Sequence, residues 1–272
     1  MKKNNVKRPN IYEILLTIVV AAEIIFILAP LLIVLATSVN PTRIVFPPEG
    51  VTFRWFREIL HHEEFINAAK VSAFIAIIAA VGSTTMGCMI CIAYRYFKIP
   101  GKNLVYSVFS APILVPSVII GLALYQVVLM LIGSKSLITL IIGHVVITAP
   151  FPIRIINSML ETVEPSMEEA AMSVGADRLT TFLRITFPMI RPGVICSALY
   201  ASIISWNNFP VSMFLCGLGY ITLPIRIYNY IEYQYEPLIA AMGAIIVLIS
   251  GLFVWIIDKY IGLSQIYGKD SI

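Results

Sequence analysis

Residues 71–94 read Val71-Ser-Ala-Phe-Ile-Ala-Ile-Ile-Ala-Ala-Val-Gly-Ser-Thr-Thr-Met-Gly-Cys-Met-Ile-Cys-Ile-Ala-Tyr94 and hold no charged side chain. As a helix the stretch would measure about 36 Å, enough to cross roughly 30 Å of hydrocarbon. A backbone in lipid must satisfy its own hydrogen bonds, so such a run means a transmembrane helix. Working outward, five more runs qualify: 14–38 with the single charge Glu23, 104–134 with none, 136–153 with the lone His144, 192–225, and 237–257. The run 192–225 is too long for one span, and Gly217-Leu-Gly219 with Leu223-Pro224 predict a helix end near Gly217 and a loop beyond it. The expected fold class is all-α, a polytopic membrane protein of about six transmembrane helices.

Composition agrees. Hydrophobic residues make up 59% of the 272-residue chain and charged residues 12%, half the share usual in soluble domains. Mean hydropathy is +0.89. With the N-terminus inside, thirteen of the nineteen Lys and Arg fall in inner segments and six in outer ones, which predicts cytoplasmic N- and C-termini. The net charge of +4 therefore reports topology and does not point to nucleic acid. The expected division is a tail at 1–11, a first transmembrane helix at 12–38, an external loop at 39–69, a core of five transmembrane helices at 70–262 that includes an inner loop at 161–190, and a tail at 263–272. The first run is too long, and lacks the small-residue site, for a cleavable signal peptide.

Between the first two runs, prolines 41, 47 and 48 and the Trp55-Phe56 pair predict an extended stretch, then a short amphipathic piece at the interface. The adjacent His61 and His62 cannot share a helix face and make a poor metal site. Cys88 and Cys91 share one face inside a span, where free Cys behaves as a small hydrophobe; Cys196 and Cys216 read the same way, so no disulfide framework or metal site is expected. Prolines inside apolar runs remove helical hydrogen bonds, which membranes tolerate beside packed helices or a water-lined cavity. Pro112 and Pro116, followed by Ser117 and Gly121, point to a transport path, with Tyr125 further along that run. Pro150 and Pro152 fall at the inner end of the fourth run.

The longest polar stretch, 154–191, contains Glu164-Pro-Ser-Met-Glu-Glu-Ala-Ala-Met-Ser-Val-Gly175-Ala-Asp177. Ser166 and Glu169 have capping-box spacing, and Glu168 and Glu169 suit the positive end of a helix dipole. Gly175 is placed for a left-handed C-terminal cap. Asp177 can cap a second short helix carrying Leu179, Phe182, Leu183 and Ile185 and ending at Pro188. The product is a two-helix elbow, with Ala170 and Ala171 small enough for close approach by a partner.

The elbow resembles the EAA loop of ABC-importer permeases of the type I class: Glu169-Ala170-Ala171, then Gly175, then Ile185-Thr186-Phe187-Pro188, with Phe187 where the family has Leu. Thr148-Ala149-Pro150-Phe151 and Leu160-x-x-Val163-Glu164-Pro165 are similar to the family's lead-in, and the resemblance runs from about residue 68 to the C-terminus. It implies a multi-pass subunit of the bacterial inner membrane. The coupling set would be Ser166, Glu168, Glu169, Ala170, Ala171, Gly175, Ala176, Asp177, Ile185 and Pro188. In it Glu169 would be the polar anchor in an ATPase groove. The implied partners are a dimer of ATP-binding subunits, a second and different permease chain, an extracytoplasmic solute-binding protein docked on the outer loops (217–236 above all), and membrane lipid.

The chain itself is not expected to be an enzyme or to bind a cofactor; ATP and magnesium would sit on the partner. No phosphate-binding Gly-x4-Gly-Lys-Ser/Thr loop occurs, and Gly101-Lys102-Asn103 lacks its essentials. The last third, from Ser205 through Tyr228, resembles the spermidine/putrescine branch, which often carries acidic residues where the neutral Asn207 and Asn208 stand. The expected cargo is a small solute, a polyamine or related amine among the candidates, moving past Pro112, Pro116, Ser117, Tyr125, Asn207 and Asn208, with helix packing the other role open to the two amides. Glu23 is assigned to pairing or protonation and His144 to packing. The alternative class is an ion-coupled carrier or channel, but no internal repeat supports it.

Overall fold

The computed structural model describes residues 10–42, 44–97, 100–233 and 236–261. The two expected tails fall largely outside these residues, as does Arg43. Two compact units separate: one holds the residues up to His61 with Ile231–Val247, the other His62–Tyr230 with the residues from Leu248. Among the described residues there are five helices long and apolar enough to cross a membrane, and six spans if one sharply bent pair counts as one.

In the first unit, α1 (Ile11–Thr37) carries Pro30 internally and presents Glu23 on an exposed surface. The following segment folds back on Asn40, whose carbonyl accepts the Trp55 indole N–H at 2.7 Å, and α2 (Arg54–Ile59) buries Trp55 and Ile59. This is the short amphipathic piece the sequence predicts.

The second unit is built around α3 (Glu63–Tyr96), which packs on three later helices. It starts at Glu63, before the predicted loop end, because Glu63 and Glu64 suit a first turn. Its buried face carries small side chains at Ser72, Ala76, Ala79, Ser83, Gly87 and Cys91. Small residues at three- and four-residue spacing let backbones approach, the usual basis of helix packing in lipid. At Gly87 a Cβ would lie 2.9 Å from Pro152 Cβ and 3.1 Å from the Ile153 nitrogen.

Three predicted spans differ from their apolar runs. The run 104–134 is two helices, α4 (Lys102–Ser110) and α5 (Ser117–Leu131), joined through a tight turn at Ala111–Ile113 and bent by 107°. Two prolines four residues apart do more than kink: Pro112 lies in the turn, and Pro116, with ψ 130°, stands outside α5 as its cap. The fourth run continues past Pro150 and Pro152, because α6 (Leu137–Thr148) passes through a helical Ala149 into α7 (Pro150–Glu161). Those prolines therefore lie inside a 25-residue helical stretch, not at its end.

The fifth span begins well before residue 192 and ends before Gly217. After α8 (Pro165–Ser173) and α9 (Arg178–Thr181), a widened turn at Phe182–Thr186 feeds directly into α10 (Phe187–Trp206). Pro188, expected to end the second elbow helix, instead lies just after the widened turn, inside a helical stretch that runs from Arg178 to Trp206. The widening is visible in the Phe187 N–H, which bonds the Phe182 carbonyl five residues back. Helix α10 stops at Trp206 because Asn208 caps a new helix, α11 (Phe209–Leu215). Two further helices follow, α12 (Leu223–Tyr233) and α13 (Pro237–Ile261). His144 is buried as expected, its Nδ1 2.8 Å from Ser205 Oγ and its Nε2 3.1 Å from Ser212 Oγ. It thus ties α6 to both sides of the break between α10 and α11.

Candidate coupling elbow and translocation path

The elbow begins where Glu164 sits in extended conformation and Pro165 takes the first helical position. Proline is preorganised for that position, so Ser166 falls inside α8 and cannot be its cap. The capping box predicted for Ser166 and Glu169 does not form; the Ser166 hydroxyl instead donates to Glu164 Oε2 at 3.2 Å. At the other end the prediction holds. Gly175 has φ +95°, its N–H bonds the Met172 carbonyl at 3.0 Å, and the Ala176 N–H bonds the Ala171 carbonyl at 3.1 Å. Those two bonds are the Schellman pattern, which needs a residue free of Cβ strain at the left-handed position. Asp177 then caps α9, accepting the Thr180 N–H at 2.9 Å, and hydrogen bonds from the Thr180 hydroxyl and N–H hold its carboxyl below the usual range.

The two glutamates of the first turns separate sharply. Glu169 is exposed, whereas Glu168 is 6% exposed and turns inward. Glu168 Oε1 accepts hydrogen bonds from Thr186 Oγ1 at 2.6 Å and Tyr96 Oη at 2.8 Å. Its Oε2 lies 3.2 Å from both Nε and Nη2 of Arg95. The same guanidinium donates to the carbonyls of Leu160 and Val163 at 3.1 and 2.8 Å. Burial pushes the Glu168 carboxyl upward, but the donors Thr186 and Tyr96 and the charge of Arg95 outweigh it and hold it below 4.5. Arg95 also lines a cavity of about 370 Å³ between α3, α4 and α7, together with Tyr94, Lys102 and Tyr106.

The outward side of the elbow is apolar and uncovered: Met167, Met172, Val174, Leu179 and Leu183 are all exposed, Val174 to 87%. Ala170 is exposed beside Glu169, Ala171 and Ile185 are half-buried, and Pro188 is exposed in α10. Sequence reasoning placed Glu168 in the first turn but missed its partners. Arg95 and Tyr96, ending a transmembrane run, were the available signal.

The path candidates divide between exposed and structural roles. Ser117 opens α5 and is half-buried. Tyr125, also on α5, has the Lys135 ammonium 5.7 Å from its ring centroid. Asn207 is exposed and donates through Nδ2 to the Ile203 carbonyl at 3.1 Å and to Ser250 Oγ at 3.3 Å. Asn208 is buried; its Oδ1 accepts the Val211 N–H at 3.0 Å and its carbonyl accepts the Ser212 hydroxyl at 2.7 Å. Helix α11, which Asn208 starts, packs on α5, which starts after Pro116, so the two chain breaks belong to one helix pair.

Residues 74–264 match the family described as binding-protein-dependent transport system inner membrane component. The chain belongs to that family. It is a permease subunit of a binding-protein-dependent ABC importer, and the family places it in the inner membrane as a transport component. Among curated relatives, the putrescine transport system permease protein PotI of Escherichia coli K12 is 30% identical over 240 residues, covering 85% of each chain. The spermidine/putrescine transport system permease protein PotC of Haemophilus influenzae is 28% identical, over 83% of this chain and 88% of that one. Solved structures share the permease's fold. One is a bacterial ABC transporter that imports the acidic polysaccharide alginate, with TM-score 0.63 and 16% identity over 96% and 97% of the two chains. Another is an amino acid ABC transporter, with TM-score 0.60 and 17% identity over 77% of this chain and 98% of that one.

Proposed function

We propose that this permease carries a polyamine or a related small amine inward, driven by ATP hydrolysed on a separate subunit that docks on the elbow. The observation that carries the docking reading is the uncovered apolar surface around Glu169. Met167, Met172, Val174, Leu179 and Leu183 are exposed on a segment flanked by spans, while Glu168 holds the inner side fixed. Exposed apolar side chains near a charged residue in sequence suit a protein groove. On this reading the elbow is cytoplasmic and the ATP-binding subunits form a dimer. ATP and magnesium bind there, and this chain holds no cofactor. A second, different permease chain completes the pore. An extracytoplasmic binding protein delivers cargo to the side bearing residues 217–236. Closure of the ATPase pair would tilt the permease halves as rigid bodies.

The amine reading rests on the relatives, whose names specify putrescine and spermidine. Asn207, exposed beside the break that Asn208 caps, is the path residue on this chain.

Co-purification of the permease in detergent with its ATPase tests the docking. Wild type should retain the ATPase, and Glu169→Arg and Gly175→Pro should each lose it; retention by both variants with normal transport would remove the docking role. Uptake of labelled putrescine into cells expressing the complete importer tests the cargo, and uptake indifferent to the permease would remove the amine.

A further inference from the structure

We infer that Glu168 is the joint through which movement of the elbow reaches α3 and α7, a positioning residue for transport that stands apart from the surface meeting the ATPase. The inference rests on the coupling reading of the elbow. Helix α8 is attached to the chain on either side by short non-helical segments, 162–164 and 174–177. Left to those turns alone, a push on α8 would be absorbed by backbone rotation before it reached a transmembrane helix. The Glu168 carboxylate removes that freedom. It is bound by Arg95 and Tyr96 from the end of α3 and by Thr186 from the turn entering α10.

Arg95 extends the joint one step further. Its remaining donors hold the carbonyls of Leu160 and Val163, at and just beyond the end of α7. One buried ion pair therefore ties α8 to three transmembrane elements. Hydrogen bonds to an ionised acceptor are shorter and stronger than neutral ones, and a guanidinium fork fixes direction as well as distance. Packed and hydrogen-bonded networks of this kind are one route by which coupling travels between distant sites. Among the described residues the neighbouring Glu169 has no comparable partner set, and it is exposed, so the two adjacent carboxylates divide the work: one faces the motor, the other the pore.

The test uses the complete importer in proteoliposomes with its ATPase and binding protein. Wild type is compared with Glu168→Gln, Arg95→Gln, their combination, and Tyr96→Phe, which removes one donor and leaves the ion pair. Two quantities are read: the stimulation of ATP hydrolysis by the binding protein, and putrescine taken up per ATP hydrolysed. Glu168→Gln and Arg95→Gln should each keep the ATPase bound and lower both quantities about tenfold, within the usual span of coupling between sites. The double variant should be no worse than the more severe single, because the two residues act through one contact. Tyr96→Phe should fall between. A merely structural role would reduce the amount of assembled importer and leave both ratios unchanged, and that result overturns the joint. Loss of the ATPase from Glu168→Gln overturns it as well, because Glu168 would then belong to the docking surface. A wild-type importer in which the elbow binds no ATPase overturns the coupling reading itself, a separate result visible in the wild-type control.

Discussion

Glu168 and Glu169 are neighbours of one residue type, yet burial gives them different chemistry. Glu168 accepts from Thr186, Tyr96 and Arg95, and its carboxyl is held below 4.5. A group whose pKa is lowered by folding adds stability above its unfolded value, and that stability fades as pH falls through the lowered one. The thermal midpoint of wild type should therefore exceed that of Glu168→Gln at neutral pH, by the equivalent of about 2 kcal/mol for a charged buried acceptor. The gap should close as pH falls through the lowered value. Melting curves of both proteins in detergent across pH 3.5 to 7, ~0.5 apart, would show this; a constant gap would mean that the carboxylate charge contributes nothing. The rotation of α8 that points Glu168 inward could not be read locally, because Arg95 lies 73 residues away in the chain. The C-terminal cap of the same helix could, since Gly175 and Asp177 act on backbone groups within four residues.

Among the elements, the broken ones carry the most information. The pair α10–α11 breaks at Asn207 and Asn208, and the two amides are not equivalent. Asn208 satisfies a buried helix end at Val211, while Asn207 contacts Ser250 and remains exposed. Replacing Asn208 by Ala should cost about 1 kcal/mol, the usual value of a lost cap. Asn207→Ala should stay within about 0.5 kcal/mol of wild type in stability, as exposed substitutions do, while changing the rate of putrescine uptake. Paired melting and uptake measurements separate the two; equal losses of stability would make both amides structural. The apolar pattern located these elements but could not place their ends. A charge-free run reports only that lipid or protein surrounds it, so Trp206 and Gly217 looked alike as termini. Pro188 misled for a related reason: a proline often marks a helix boundary, but this one lies inside a helical stretch, just after the widened turn.

At the scale of the whole molecule, the elbow and the loop around Leu218 are both exposed breaks between helices, and the proposed mechanism needs them on opposite sides of the membrane. Val174 is 87% exposed and Leu218 99% exposed, so both positions can carry a reporter. With the native cysteines replaced and the permease expressed without its ATPase, a membrane-impermeant maleimide should label Leu218→Cys in intact cells and Val174→Cys only in inside-out vesicles. The reverse pattern would invert the orientation and remove the elbow from contact with cytoplasmic ATP. Lys and Arg counts predict this orientation, because short loops rich in positive charge are retained on the cytoplasmic side.

What the sequence determined alone is what depends on composition and short range. Hydropathy demands membrane helices whatever their packing. The Glu169-Ala170-Ala171 to Gly175 spacing builds a capped elbow from neighbouring residues, and the same spacing is what made the permease resemblance legible. Only the tertiary structure decided what depends on distant partners. It turned Pro112 and Pro116 into a 107° corner, carried α7 straight through Pro150 and Pro152, and brought Arg95, Tyr96 and Thr186 around Glu168. The physical reason is common to all three. A proline or a carboxylate has several local outcomes of similar energy, and contacts across tens of residues select among them.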